Sequence, residues 1–166
     1  ALVNDKELKA QLTMLSEAER RDHRKIGKEM NLIMSQELAP VMPFFLPKGM
    51  IMLLELMKFV REYSYGPGYK EVRTPHLFNA ELWKISGHWD HYKENMFHMH
   101  HAEDNIDLGV KPMNCPAHML IFKRDVHSYK ELPLRIAETT TLYRNEKSGT
   151  LTGLTRVRSL SHDDTH

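Results

Sequence analysis

Residues 141–166 read TLYRNEKSGTLTGLTRVRSLSHDDTH. Arg144 and Glu146 lie two apart, so on a strand they project from one face. A polar loop with Gly149 and Gly153 follows, and Arg156 and Arg158 then share a face on the returning strand. The spacing predicts a first strand from Leu134 to Arg144 and a second from Arg156 to Ser161. Planar guanidiniums on such a platform suit phosphate and carboxylate oxygens, which they hold through paired hydrogen bonds.

Upstream, local signals give the remaining elements. Asn4 and Glu7 read as a helix start, followed by a narrow stripe of Leu8, Leu12 and Leu15. A second helical stretch, Asp22 to Gln36, carries Ile26, Met30, Ile33 and Met34 on one side, and Pro40, Pro43 and Pro47 bracket an extended Phe44-Phe45-Leu46. Met50 to Tyr63 reads as a buried helix, and Gly66-Pro67-Gly68 as a turn into a strand. Asn79 caps a short helix through Trp83. Residues from Met96 to Lys111 alternate about a polar Glu103-Asp104-Asn105, as a hairpin does. Asn114 caps a helix that tolerates Pro116 in its first turn and runs to about Val126. This order makes a mixed α+β domain around an antiparallel sheet, without internal repeats or low-complexity segments.

Composition narrows the class. The 166 residues are 41% hydrophobic and 27% charged, which describes a folded globular chain rather than a disordered one. A formal net charge of +1 provides no bulk field for nucleic acid. The single cysteine excludes an internal disulfide framework and fits a reducing compartment. The longest apolar run, Met50 to Met57, is broken by Glu55 and too short for a bilayer. With no signal peptide in view, the expected location is the cytosol and no membrane is involved. A start at Ala1 without methionine and a close on His166 in mid-strand lead us to expect a piece of a longer protein.

Four segments, in order, resemble the threonyl-tRNA synthetases, a family of class II aminoacyl-tRNA synthetases. Arg-x-Glu, loop, Arg-x-Arg at Arg144, Glu146, Arg156 and Arg158 resembles motif 2 of that class. Gly68 to Pro75, GYKEVRTP, resembles motif 1, the strand at the class II dimer interface. Ser86 to Phe97, SGHWDHYKENMF, and Lys111 to His118, KPMNCPAH, resemble segments of the threonyl family, the latter with Ala117 in place of its usual glycine. Arg21 to Lys28, RDHRKIGK, resembles the linker that enters the catalytic core. The resemblance implies linker helices over 1–36 and a truncated class II catalytic domain over 37–166, an antiparallel sheet flanked by helices. Motifs 1 and 2 are present and motif 3 is absent.

What the resemblance implies for chemistry is specific. The parent enzyme activates threonine with ATP, accompanied by Mg2+, and passes the threonyl group to tRNA(Thr); this chain alone is expected to be a poor catalyst. Arg144 is the catalytic cation at the α-phosphate and the substrate carboxylate, Glu146 holds the adenine amine, and Arg156 serves the phosphates or the tRNA end. Leu160 stands where the family usually carries a phenylalanine stacked on adenine, and His162 where it usually carries glutamine beside the substrates. Met113 lines the amino-acid pocket and Asp164 takes the substrate amino group. Cys115 and His166 are two ligands of a catalytic Zn2+, with the third, a histidine, further along the family's chain. A homodimer through motif 1 is implied. The alternatives are a non-catalytic synthetase-like paralogue that binds RNA or a protein partner, and a structural dimerisation module.

Taken singly, the same residues have plainer readings. A lone cysteine near a helix start is ordinarily a small buried residue. An isolated Arg-x-Glu is ordinarily a salt-bridged hairpin. His98, His100 and His101 read as a solvated hairpin edge. Arg20, Arg21, Arg24, Lys25 and Lys28, interleaved with Glu17, Glu19, Asp22 and Glu29, read as a salt-bridged helix surface.

Overall fold

The computed structural model describes residues 4–66 and 68–166. Helix α1 (Asp5–Arg20) starts as the sequence predicts, with Oδ1 of Asn4 accepting the N–H of Glu7. It buries none of its residues, so the leucine stripe stays in solvent. Helix α2 (His23–Glu29) is capped by Asp22 and stops seven residues short of the predicted end. Asn31 turns into the left-handed region at φ 55°, which asparagine tolerates. Ile33–Gln36 then forms strand β1, paired antiparallel with β2 (Ala39–Phe45). The leading segment is therefore two helices and a strand, not helices throughout, and the extended piece predicted at 44–46 begins at Ala39. Within β2, Val41 has φ 58°, and its carbonyl accepts the N–H of Arg158 at 3.0 Å, which joins this hairpin to the arginine-bearing loop.

Helix α3 (Pro47–Ser64) begins with proline in its first turn. Gly49 presses so closely on the carbonyl of Leu32 that a Cβ there would overlap it. The helix is held by the Arg61–Glu71 ion pair at 2.9 Å and by Tyr65, whose hydroxyl lies 2.7 Å from that of Thr139. The expectation that it is buried is wrong. Ile51, Leu56 and Phe59 are each about 60% exposed, because only the Leu53 and Met57 side leans towards the sheet. The predicted turn before the next strand includes Pro67, which lies outside the described residues.

Strand β3 (Lys70–Glu71) lies parallel to β7 (Ile136–Tyr143), which pairs antiparallel with β8 (Ser159–Thr165). A second sheet orders β4 (Leu77–Asn79), β6 (Ile106–Val110) and β5 (His98–His101), all antiparallel. The hairpin of β5 and β6 turns through Asn105 as predicted. Between β4 and β5 lie α4 (Ala80–Ile85), capped by Asn79, and α5 (His88–Tyr92). Trp83 is wholly buried here and meets Phe78 edge to face at 5.8 Å. A Cβ on Gly109 would come within 2.6 Å of the Trp83 indole nitrogen, so only glycine fits under the ring. Helix α6 (Cys115–Lys123) ends before Val126, and Asn114 makes no side-chain cap to it. The fold is α+β, with the β7–β8 pair at its centre.

Candidate active site

The register of β7 and β8 sorts their side chains. Glu138 faces Asp164, Thr140 faces His162, and Leu142 faces Leu160, and paired residues of an antiparallel ladder share a face. Thr139 and Ser161 belong to the opposite face, towards α3. Alternation therefore lines Leu160, His162 and Asp164 along one side of β8, with His166 following. Helix α6 and the segment 111–114 pack on that side.

Three of the predicted residues meet there. Sγ of Cys115, a carboxylate oxygen of Asp164 and a ring nitrogen of His166 all lie within 4.8 Å of one another. Burial, and then the charge of Asp164, push the Cys115 thiol above its ordinary value. A cation between thiolate and carboxylate would relieve both effects. Sulfur and imidazole together suit Zn2+ among common metals, so Cys115 and His166 fit the ion that the resemblance implies, with the Asp164 carboxylate close beside them. Asp164 also accepts from Nδ2 of Asn114 at 3.3 Å, and the Asn114 backbone is itself helical (φ −94°, ψ −20°) rather than extended as in a cap. Oδ1 of Asn114 and Nδ1 of His162 are buried without a partner. Met113, in the same segment, is half-buried.

The arginine platform differs from the predicted one. Strand β7 ends at Tyr143 and β8 starts at Ser159, so residues 144–158 form a loop and neither Arg144 and Glu146 nor Arg156 and Arg158 share a strand face. The loop tightens at once, with the N–H of Glu146 donating to the carbonyl of Arg144 at 2.8 Å. Arg144 is half-buried and its Nε donates to the carbonyl of Pro112 at 3.2 Å, beside the Cys115 segment. Glu146 is 13% exposed at its side chain, and its Oε2 accepts Nε and a terminal nitrogen of Arg156 at 3.1 and 2.9 Å. Glu146 is thus salt-bridged across the loop to Arg156. Arg158 donates to the backbone carbonyl of Glu146 instead.

Sequence reasoning missed a buried array below the site. Lys111, His118 and Glu138 are each 0–1% exposed. Nζ of Lys111 donates to Oε1 of Glu138 and to the Thr74 hydroxyl, both at 2.9 Å. Glu138 also accepts the N–H of Thr74 at 2.9 Å, and Oε2 lies 3.1 Å from Nε2 of His118. Nδ1 of His118 lies 2.8 Å from Nδ1 of His166. Burial pushes the Glu138 carboxyl up, but Thr74, Lys111 and His118 outweigh it and hold it below the ordinary range. Burial holds His118 below its ordinary value. A glutamate inside the strand run IAETTTLY was the available signal, since an unpaired acid is almost never buried.

The histidines of β5 remain a surface edge, with His100 on Asp107 at 2.9 Å and His101 on Asp104 at 3.1 Å. Three members of the basic run are salt-bridged as expected, Arg20 and Arg21 to Glu17 and Arg24 to Asp22. His23 does something further, because its Nε2 accepts the N–H of Leu154 in the arginine loop at 2.8 Å.

Residues 97–166 match the tRNA synthetase class II core domain family (G, H, P, S and T). A prolyl-tRNA synthetase from Giardia lamblia, 23% identical, shares the fold with a TM-score of 0.75 over 85% of this chain and 29% of that one. The chain has the fold of a class II aminoacyl-tRNA synthetase core. Threonine–tRNA ligase 2 of Bacillus subtilis (strain 168) is 51% identical over 100% of this chain and 26% of its own length. The RNA-binding domain structure of threonyl-tRNA synthetase from Cryptosporidium parvum Iowa II is 43% identical, with a TM-score of 0.83 over 87% of this chain and 36% of that one. Within its class, the chain belongs with the threonyl-tRNA synthetases. It spans about a quarter of the length of the curated relatives it matches.

Proposed function

We propose that this chain forms one side of the active site of a threonine–tRNA ligase, in which threonine and ATP become threonyl-adenylate and the threonyl group passes to tRNA(Thr). The observation that carries the reading is the meeting of Cys115, Asp164 and His166 on the face that also receives the Arg144 side of the segment 111–115. Residues 37–166 belong to the catalytic domain in this reading, and residues 1–36 lead into it.

The residues divide the work by charge. Arg144, pinned by Pro112, presents a fixed cation to the α-phosphate and the threonine carboxylate, neutralising charge that grows as the carboxylate attacks phosphorus. Glu146 offers its second oxygen to the adenine amine while Arg156 holds the first, and Arg156, 53% exposed, keeps donors for phosphate or the tRNA end. ATP arrives with Mg2+. Leu160 supplies apolar contact beneath the adenine, and His162, on the same face of β8, stands beside the substrates. Met113 walls the amino-acid pocket, and Asp164 holds the substrate amino group by a charge-assisted bond. Cys115 and His166 would hold Zn2+ together with a ligand from outside this chain. When bound, that ion supplies a Lewis acid suited to the amino nitrogen and side-chain hydroxyl of threonine.

The exposed apolar side of α3, next to the motif 1 segment, fits a second copy of the protein, and we read the parent as a homodimer. Among the described residues no helix is long and apolar enough to cross a membrane. The single cysteine fits the cytosol. The test is threonine-dependent ATP–pyrophosphate exchange by the longest natural polypeptide containing this chain. Exchange with threonine and not with valine supports the reading. Absence of exchange with any amino acid sinks it and favours the non-catalytic alternative.

A further inference from the structure

The buried array beneath His166 carries an inference that rests on the zinc reading and goes beyond it. Its proton positions can be worked out from one end to the other. Lys111 is a donor at every hydrogen. Its ammonium and the N–H of Thr74 both point at Oε1 of Glu138, so Glu138 is an ionised acceptor. Oε2 of the same carboxylate faces Nε2 of His118, so that nitrogen carries a hydrogen and donates. Glu138 is already balanced by Lys111, and the burial of His118 among packed side chains outweighs the pull of Glu138 and the nearby Asp164 on a second cation. His118 is therefore neutral, and its Nδ1 has a lone pair. Two ring nitrogens 2.8 Å apart share one hydrogen, so the hydrogen between His118 and His166 belongs to Nδ1 of His166.

We propose that Lys111, Glu138 and His118 form a buried relay that fixes the tautomer of His166, with the hydrogen on Nδ1 and the lone pair of Nε2 left for the metal. His118 is then a positioning residue: it touches neither substrate nor metal. The rings cross at 87° with centroids 4.8 Å apart, so the bond also sets the plane of His166. A ligating imidazole whose other nitrogen is held in this way binds metal more tightly, and loss of such a partner typically costs about 10- to 100-fold in affinity.

Two measurements on the longest natural polypeptide containing this chain test the relay, neither of them an activity assay. The first is a crystal structure of the zinc-loaded protein. Zinc on Nε2 of His166 with His118 still at Nδ1 supports the relay, and zinc on Nδ1 overturns it. The second is zinc affinity by chelator competition in His118→Gln and His118→Phe, each checked for folding by circular dichroism. Glutamine can donate to Glu138 and accept from His166, whereas phenylalanine fills the space and does neither. Affinity within about threefold of the parent for glutamine and about 10-fold or more weaker for phenylalanine is expected. Equal affinities in both variants and the parent overturn the relay and leave the zinc site standing. A parent protein that takes up no zinc removes the zinc reading itself and the relay with it.

Discussion

Nζ of Lys111 and Oε1 of Glu138 meet at 2.9 Å with side chains 0% and 1% exposed, so an ion pair lies wholly inside the fold beneath the candidate site. Removing one partner leaves a buried charge alone. Lys111→Met should lower unfolding free energy by about 3–5 kcal/mol, read from urea denaturation. A loss below about 1 kcal/mol would show that Thr74 and His118 hold the carboxylate without the lysine.

The same array makes stability depend on pH in a stated direction. His118 is held below its ordinary 6.5 by burial. Glu138 is held below its ordinary 4.5, its hydrogen bonds prevailing over burial. In both cases the unfolded chain takes up protons first, so stability falls as pH falls. The His118 share is full above 6.5 and declines below it towards the folded value. The Glu138 share persists to about 4.5 and declines as pH passes through its folded value. Thermal melts across this range should drop below pH 6.5, with a smaller drop in His118→Gln. A flat profile in the parent contradicts the direction of both shifts.

Helix α2 reaches the arginine loop through one bond, Leu154 N–H to His23 Nε2. Gly153 has φ 48°, and a Cβ there would overlap the His23 ring. His23→Ala should release the loop, seen as faster hydrogen exchange at the Leu154 amide with global stability little changed. Unchanged protection at that amide would mean that other contacts hold the loop.

Nε of Arg144 donates to the carbonyl of Pro112, three residues before Cys115. Arg144→Lys keeps the charge and loses the forked geometry. Threonine-dependent exchange should fall about 100-fold or more. A fall below tenfold would remove Arg144 from the reacting phosphate.

On α3, Phe59 is 60% exposed and stacks on Tyr63 at 5.4 Å. Phe59→Glu should weaken self-association, measured by sedimentation. An unaltered dimer would locate the interface elsewhere.

Signals confined to a few residues were legible in the sequence: the caps at Asn4 and Asn79, the hairpin of β5 and β6, and the salt-bridged basic run. Ile33 and Met34 continue the helical period of Ile26 and Met30, and only pairing with β2 makes them a strand. Apolar composition correctly marked α3 as a helix but could not say that one side of it stays exposed in this chain. Cys115, Asp164 and His166 were found through motif resemblance, since nothing local brings residues so far apart together. Lys111, Glu138 and His118 escaped notice because charged residues read as surface until their partners are known.

The most direct test is calorimetric binding of a non-hydrolysable threonyl-adenylate analogue to the zinc-loaded protein containing this chain, beside its valyl counterpart. Binding of the threonyl analogue, lost when a chelator removes zinc and absent for the valyl compound, is the expected result. Equal binding of both analogues, or binding indifferent to zinc, would contradict a threonine site built on Cys115 and His166.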